Sequence, residues 1–198
     1  LVFDQIATSP EPVVAIDGAR EEAWKTGHVV SAYQTYNDAE MEPRTIDIVL
    51  RNRVEAVIYA TVMTRQVRVP EALYEAGVPV VLLNCFSADR HFPSIVPAEV
   101  AGGHSATHAL IEAGHRRIAH LTGEMWMDAA RDRLRGYREA LAAADIAYDP
   151  ELVLEGNWLP SSGYEHTNAL MRLAEPPTAI FSANDRMAVG CYEALKEL

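Results

Sequence analysis

The chain is poor in basic residues. Only 17 Lys and Arg stand against 28 Asp and Glu in 198 residues, a formal net charge of −11 with His neutral. Gripping nucleic acid requires Lys and Arg to neutralise phosphates, so this stretch is not expected to hold DNA or RNA by itself. That says nothing against a basic module attached elsewhere. Cysteine is almost absent: Cys85 and Cys191 are the only two. They read as reduced, half-buried thiols of a cytoplasmic protein and not as a disulfide framework. No apolar run approaches the roughly 18–20 residues of a membrane span, and no secretory leader is visible. The chain starts at Leu1 and not at Met, so the missing leader weighs little.

Enzyme signatures are missing too. There is no G-x-G-x-x-G, no Walker loop and no G-x-S-x-G elbow. AGGHSATH has glycines without phosphate-loop spacing. His104 and His108 stand four apart on one helix face, a spacing that can hold a metal. No Glu adjoins the first His, however, and no third ligand is evident. His115 and His120 flank a Gly turn and a strand and read as structural. No nucleophile has its base beside it. The expectation is no enzyme, no cofactor and no metal.

What the chain does have is rhythm. Hydrophobic residues make up 49% of it and charged residues 23%, as in ordinary globular chains. Helical stretches are expected at Glu11–Thr26, Pro43–Arg53, Pro70–Ala76, Glu99–Ala113, Asp128–Ala144, Ser161–Leu173 and Met187–Leu198. Short apolar strands alternate with them: Val29–Tyr33, Ala56–Ala60, Pro79–Asn84, Arg117–Thr122, Leu152–Leu154 and Ala179–Ser182. Strands of four to six residues alternating with longer helices predict an α/β architecture, parallel sheets with helices on both faces. The rhythm pauses at Ser87–Pro97. That seam predicts two lobes, about 1–96 and 97–198.

Polar and aromatic residues gather where these strands end. Asp4 and Gln5 precede the first helix, Asn84 follows PVVLL, and Trp126 follows the strand ending at Thr122–Gly123. Arg131 and Arg133 lie in the next helix, Trp158 follows Leu152–Leu154, and Asn184–Asp185 follow AIFSA. In open α/β sheets the carboxyl ends of strands are where ligands bind. Lobes facing each other by those edges would enclose a cleft suited to a polyol. Arg offers a fork of donors, Asn offers donor and acceptor together, and a Trp face suits the C–H face of a sugar. Each residue also has a plainer reading. Asn184 can be a helix cap, Arg133 a surface partner of Asp132 or Glu139, Trp158 and Trp126 lobe packing, and Asn84 a strand end. Asp4 is the least secure, because its strand is short.

Several segments carry a likeness. ARDRLRGYREAL (Ala130–Leu141), LEGNWLPSSGYE around Trp158, PTAIFSANDRMAVG, GHRRIAHLTG and GVPVVLLN, in that order, resemble the core domain of the lac-repressor/galactose-repressor (LacI/GalR) family of transcription regulators. The likeness covers nearly the whole chain. It implies the two-lobed, type I periplasmic-binding-protein-like fold, with an effector in the cleft. It implies effector contacts at Arg133, Asn184, Trp158 and Asn84, and on that reading Asp185 is the cap of the last helix. Partners implied are a small sugar or sugar derivative, a second copy of the chain, and operator DNA read by a helix-turn-helix that this sequence does not contain. The closing βα units, with their Asp-bearing turn, are not found either, so the C-terminal lobe is expected to be incomplete. The common Asp four residues before Gly102 is Ala98 here. The rival readings are a sugar-binding protein of a transport system and a small α/β enzyme.

Overall fold

A computed structural model describes residues 1–7 and 10–198, which fall into two units, Leu1–Pro97 and Ala98–Leu198. Unit 1 runs β1 (Val2–Phe3), α1 (Glu11–Lys25), β2 (Tyr33–Gln34), α2 (Met41–Arg51), β3 (Val57–Val67), α3 (Glu71–Tyr74), β4 (Val80–Ser87) and β5 (Ser94–Ile95). Its strands pair in the order β2-β1-β3-β4-β5, all parallel. Neighbouring residues of a strand face opposite ways, and the core splits accordingly. Val2, Val57 and Tyr59 pack with Ile46 and Val49 of α2 and Leu73 of α3. Phe3 and Ala60 pack with Ile16 of α1 on the other face.

Unit 2 runs α4 (Glu99–Glu112), β6 (Ile118–Thr122), α5 (Asp128–Ala143), a 3₁₀ turn (Pro150–Leu152), β7 (Val153–Glu155), α6 (Pro160–Leu170), β8 (Ala179–Ser182) and α7 (Asp185–Glu197). The order is β7-β6-β8, again all parallel. Parallel crossovers are right-handed, so α5, which leads one way along the sheet, and α6, which leads back, cover opposite faces. Ile118, Leu134, Tyr137 and Leu141 form the core under α5.

Several features differ from the sequence reading. The strand expected over Val29–Tyr33 is only Tyr33–Gln34. Its one neighbour, β1, offers two residues to pair with, and Val29 is left 83% exposed. β3 continues seven residues past Ala60, because Arg65–Val67 rejoin β4 after an excursion. Ser94–Ile95 inside the presumed seam pairs with Leu82–Leu83 as an edge strand. The thiols, expected half-buried, are buried. Burial pushes the Cys85 thiol up to about 11, so it stays protonated.

Glycine contacts fix the helix layers of unit 2. Gly103 of α4 lies on the backbone of Arg133, and Gly136 of α5 lies on the Val100 carbonyl. The same device joins α6 to α7, Gly163 against Met187 and Gly190 against Pro160. A methyl group at Gly136 would overlap the Val100 oxygen, whereas Gly102, on the same helix as Gly103, has open space around it. Gly136→Ala is therefore expected to cost about 2–3 kcal/mol of unfolding free energy in urea titration. Gly102→Ala is expected to gain up to about 1 kcal/mol, since it only improves helix propensity.

Candidate functional site

Each sheet has one place where successive crossovers diverge, and there the strand ends leave a crevice. In unit 2 it lies between β6 and β8, where Thr122–Gly123 and Ala183–Asn184 emerge. Asn184 caps α7: its Oδ1 accepts from the Met187 amide at 2.9 Å. This corrects the assignment of the cap to Asp185, which is the first helical residue. The same side chain donates through Nδ2 to the Trp158 carbonyl at 3.1 Å. It therefore ties the loop after β7 to the end of β8.

Trp158 has a φ of +67°, a left-handed conformation that bulky residues rarely adopt and that clusters at ligand sites. Its ring lies against Gly123, where any Cβ would overlap it. It is 8% exposed, and its indole N–H is buried with no partner among the described residues. The Arg133 guanidinium carbon stands 5.9 Å from the centre of the ring.

Arg133 is not the surface partner of Asp132 or Glu139 considered above; Glu139 accepts from Arg135 at 2.8 Å. Arg133 forks onto Glu99, Nε to Oε2 at 2.7 Å and Nη2 to Oε1 at 3.0 Å, and Nη1 donates to the Ala183 carbonyl. Three of its five N–H groups are thus engaged. Glu99 was missed by sequence reasoning. The available signal was spacing: Glu99 precedes Gly103 by one helical turn and Arg133 precedes Gly136 by one turn, so the glycine contact brings the two side chains face to face. Trp126 stands apart from this cluster. It is 58% exposed, and its carbonyl accepts from Arg131, which also bonds Asp128.

In unit 1 the divergence lies between β1 and β3. Asp4 accepts from the Gln5 and Val62 amides through Oδ1, at 2.7 and 2.9 Å, and pairs through Oδ2 with Arg65 at 2.8 Å. Arg65 was also missed, because it belongs to the part of β3 that the sequence reading ended too early. Between Ala60 and Arg65 the strand leaves its ladder, opposite the single residue Asn84. Asn84 has a φ of +60°, which Asn tolerates. Its amide donates both hydrogens, to the Thr61 and Val62 carbonyls at 3.0 and 2.6 Å, and its Oδ1 accepts from Thr64 at 2.6 Å. Asn84 therefore shapes the excursion more than it offers donors outward. Beside it opens a cavity of about 390 Å³, walled by Phe3, Pro12, Leu83, Ile95 and Val96.

His120, two residues before the end of β6, is fully buried, stacked on Phe181 at 4.3 Å between ring centres. Its Nδ1 meets the Phe181 carbonyl at 2.9 Å. Burial above all, with a smaller push from Arg133, lowers its pKa to about 4 against the opposing carbonyl contact. It is a structural residue, as is His115, whose Nδ1 meets Thr178 Oγ1 at 3.0 Å. His104 and His108 stack at 5.9 Å on α4. No helix among the described residues is long and apolar enough to cross a membrane.

The family described as periplasmic binding proteins and sugar binding domain of LacI family matches residues 13–197. Among curated proteins, an HTH-type transcriptional repressor PurR of Actinobacillus pleuropneumoniae is 31% identical over 97% of this chain, and one of Haemophilus influenzae is 30% identical. The chain spans 57% of the length of these relatives. Among solved structures, a sugar-binding LacI-family regulator from Escherichia coli complexed with phosphate is 28% identical with a TM-score of 0.81, covering 99% of this chain and 71% of that one. A CelR–cellobiose complex is 28% identical with a TM-score of 0.80, covering 99% and 62%. These relatives are transcription regulators, not enzymes.

Two stability measurements check the local geometry. Asn84→Ala removes three side-chain hydrogen bonds and leaves an alanine in a left-handed conformation. It should cost about 2–4 kcal/mol in chemical denaturation, and Asn84→Gly about 1 kcal/mol less. His120 is neutral in the folded state at pH values where the unfolded chain, near 6.5, takes up a proton. Stability from this group is complete above pH 6.5 and declines as pH falls towards 4, by roughly 3 kcal/mol. His120→Phe should flatten the pH dependence of unfolding over that interval.

Proposed function

From the premise that the chain belongs to the family of periplasmic binding proteins and LacI-type sugar-binding domains, we propose that it is the effector-binding and dimerisation part of a DNA-binding transcription regulator. Its 31% identity to a helix-turn-helix repressor along 97% of its length carries this reading and favours it over a transport-linked sugar-binding protein. The effector is a small carbohydrate or sugar derivative. Operator DNA is read by a helix-turn-helix outside this sequence, in the cytoplasm, by a homodimer. Effector binding alters operator affinity only to the extent that it favours one conformational state over another.

In this reading the strand-end groups hold the effector. Among the described residues, Arg133 keeps two N–H groups without partners, Asn184 keeps one, and the indole N–H of Trp158 is unpaired. These are donors for sugar hydroxyls. In unit 1, Asp4 and Asn84 shape the strand ends, and the neighbouring cavity offers apolar walls for C–H faces. The exposed indole of Trp126 supplies a further stacking face.

A thermal-shift screen of this chain with ribose, glucose, galactose and cellobiose tests the reading, with calorimetry on any sugar that raises the melting temperature. At least one sugar should bind. Arg133→Lys retains a positive charge opposite Glu99 but loses the planar fork, and should weaken that sugar at least about tenfold. Unchanged affinity in a folded Arg133→Lys would remove Arg133 from the site.

A further inference from the structure

Two of the charged strand-end candidates, Arg133 and Asp4, are already neutralised from within their own unit. Arg133 is forked onto Glu99, with the side chains 23% and 8% exposed. Asp4 is paired with Arg65, with the side chains 11% and 14% exposed. Among the described residues these are the only two ion pairs in which both side chains are less than a quarter exposed. The others lie on the surface, such as Arg51–Asp47 at 78% and 53% and Arg135–Glu139 at 68% and 47%, or half-way, as Arg117–Asp149 does. In unit 2, Glu99 thus sets the charge that Arg133 offers at the strand ends.

We propose that the strand ends of unit 2 recognise an uncharged polyol and discriminate against its phosphorylated or acidic counterpart, with Glu99 as the specificity-determining residue. This rests on the reading of the chain as a carbohydrate sensor. A free guanidinium in a half-buried crevice would favour a phosphate or carboxylate, since the planar fork matches both. Here Glu99 occupies the fork. An anionic ligand at these strand ends must displace it or sit beside its carboxylate, where water screens poorly. The net charge of −11 also slows the approach of anions. A neutral hydroxyl meets neither obstacle: it accepts from the remaining Arg133 N–H groups without disturbing the ion pair. The Gly103–Gly136 contact holds the two helices at the separation that brings Glu99 onto Arg133, so the neutralisation is built into the backbone.

Calorimetry with matched ligand pairs tests this on the chain itself: glucose against glucose 6-phosphate, ribose against ribose 5-phosphate, galactose against galacturonate. In any pair that binds, the neutral member should be at least tenfold tighter. Glu99→Gln keeps the shape, removes the charge, and should shrink that ratio at least tenfold. Glu99→Ala, which removes the same charge, should shift the ratio the same way and serves if Glu99→Gln does not fold. A phosphorylated or acidic member that binds the wild type as tightly as its neutral partner overturns the proposal while leaving the carbohydrate reading intact, as does an unchanged ratio in a folded variant. If no member of any pair binds, the carbohydrate reading itself fails, and this inference with it.

Discussion

The closeness of α4 to α5 is the constraint from which most of unit 2 follows. Two glycines, Gly103 and Gly136, let the helix backbones touch, and no side chain larger than hydrogen fits at either contact. One turn before each glycine stands a charged residue, so the approach drives Glu99 and Arg133 together. The resulting fork also reaches the Ala183 carbonyl, which links the helix layer to the end of β8. Packing, and not electrostatics, brings the pair together, and the pair then defines the chemistry available at the strand ends. The matched glycine contacts between α6 and α7 position Asn184 and Trp158 from the other layer.

Unit 1 reaches a comparable result by a different route. Its strand end is shaped by a side chain that replaces missing backbone pairing. Four residues, Thr61 to Thr64, oppose one, Asn84, and Asn84 supplies the hydrogen bonds that the interrupted ladder lacks. The excursion carries Val62 to Asp4 and allows Arg65 to rejoin the ladder beside it. In both units a buried polar network specifies where the crevice walls stand, and each network is largely satisfied, as buried polar groups must be.

Much of this architecture was legible in the residues. The alternation of apolar runs with amphipathic stretches located every helix and most strands, because parallel strands buried on both faces read as continuous apolar segments. The strand ends were legible for the same reason, and Arg133, Asn184 and Trp158 are joined by contacts, with Asp4 and Asn84 at the equivalent place in unit 1. The partners were not legible. The glycine one turn after each residue is the only sequence trace of the pairing of Glu99 with Arg133, 34 residues away, and nothing near Asp4 announces Arg65. Such pairings arise from packing between elements, which periodicity does not encode. The cap of α7 was assigned to Asp185 instead of Asn184 for a related reason. Both are good caps in isolation, and the loop geometry decides which oxygen faces the Met187 amide. The length of β3 was missed because its second part pairs only after an excursion that has no periodic pattern.

These omissions share a direction. Each residue that sequence reasoning singled out bears a charge or a polar group that looks available in one dimension. In three dimensions Asp4, Arg133, Asn84 and Asn184 all have internal partners before any ligand arrives. A crevice lined by available charges would carry a large desolvation cost and would bind whichever counter-ion is commonest. One whose charges are matched in pairs presents directional N–H groups with little net field, and so can select by hydroxyl geometry instead of by charge. Losing one counter-ion would leave its partner buried and unmatched, which makes Glu99 and Arg65 as consequential for the strand ends of their own units as the residues they pair with. Pairing of this kind is set by helix and strand packing, at positions that a motif search does not visit.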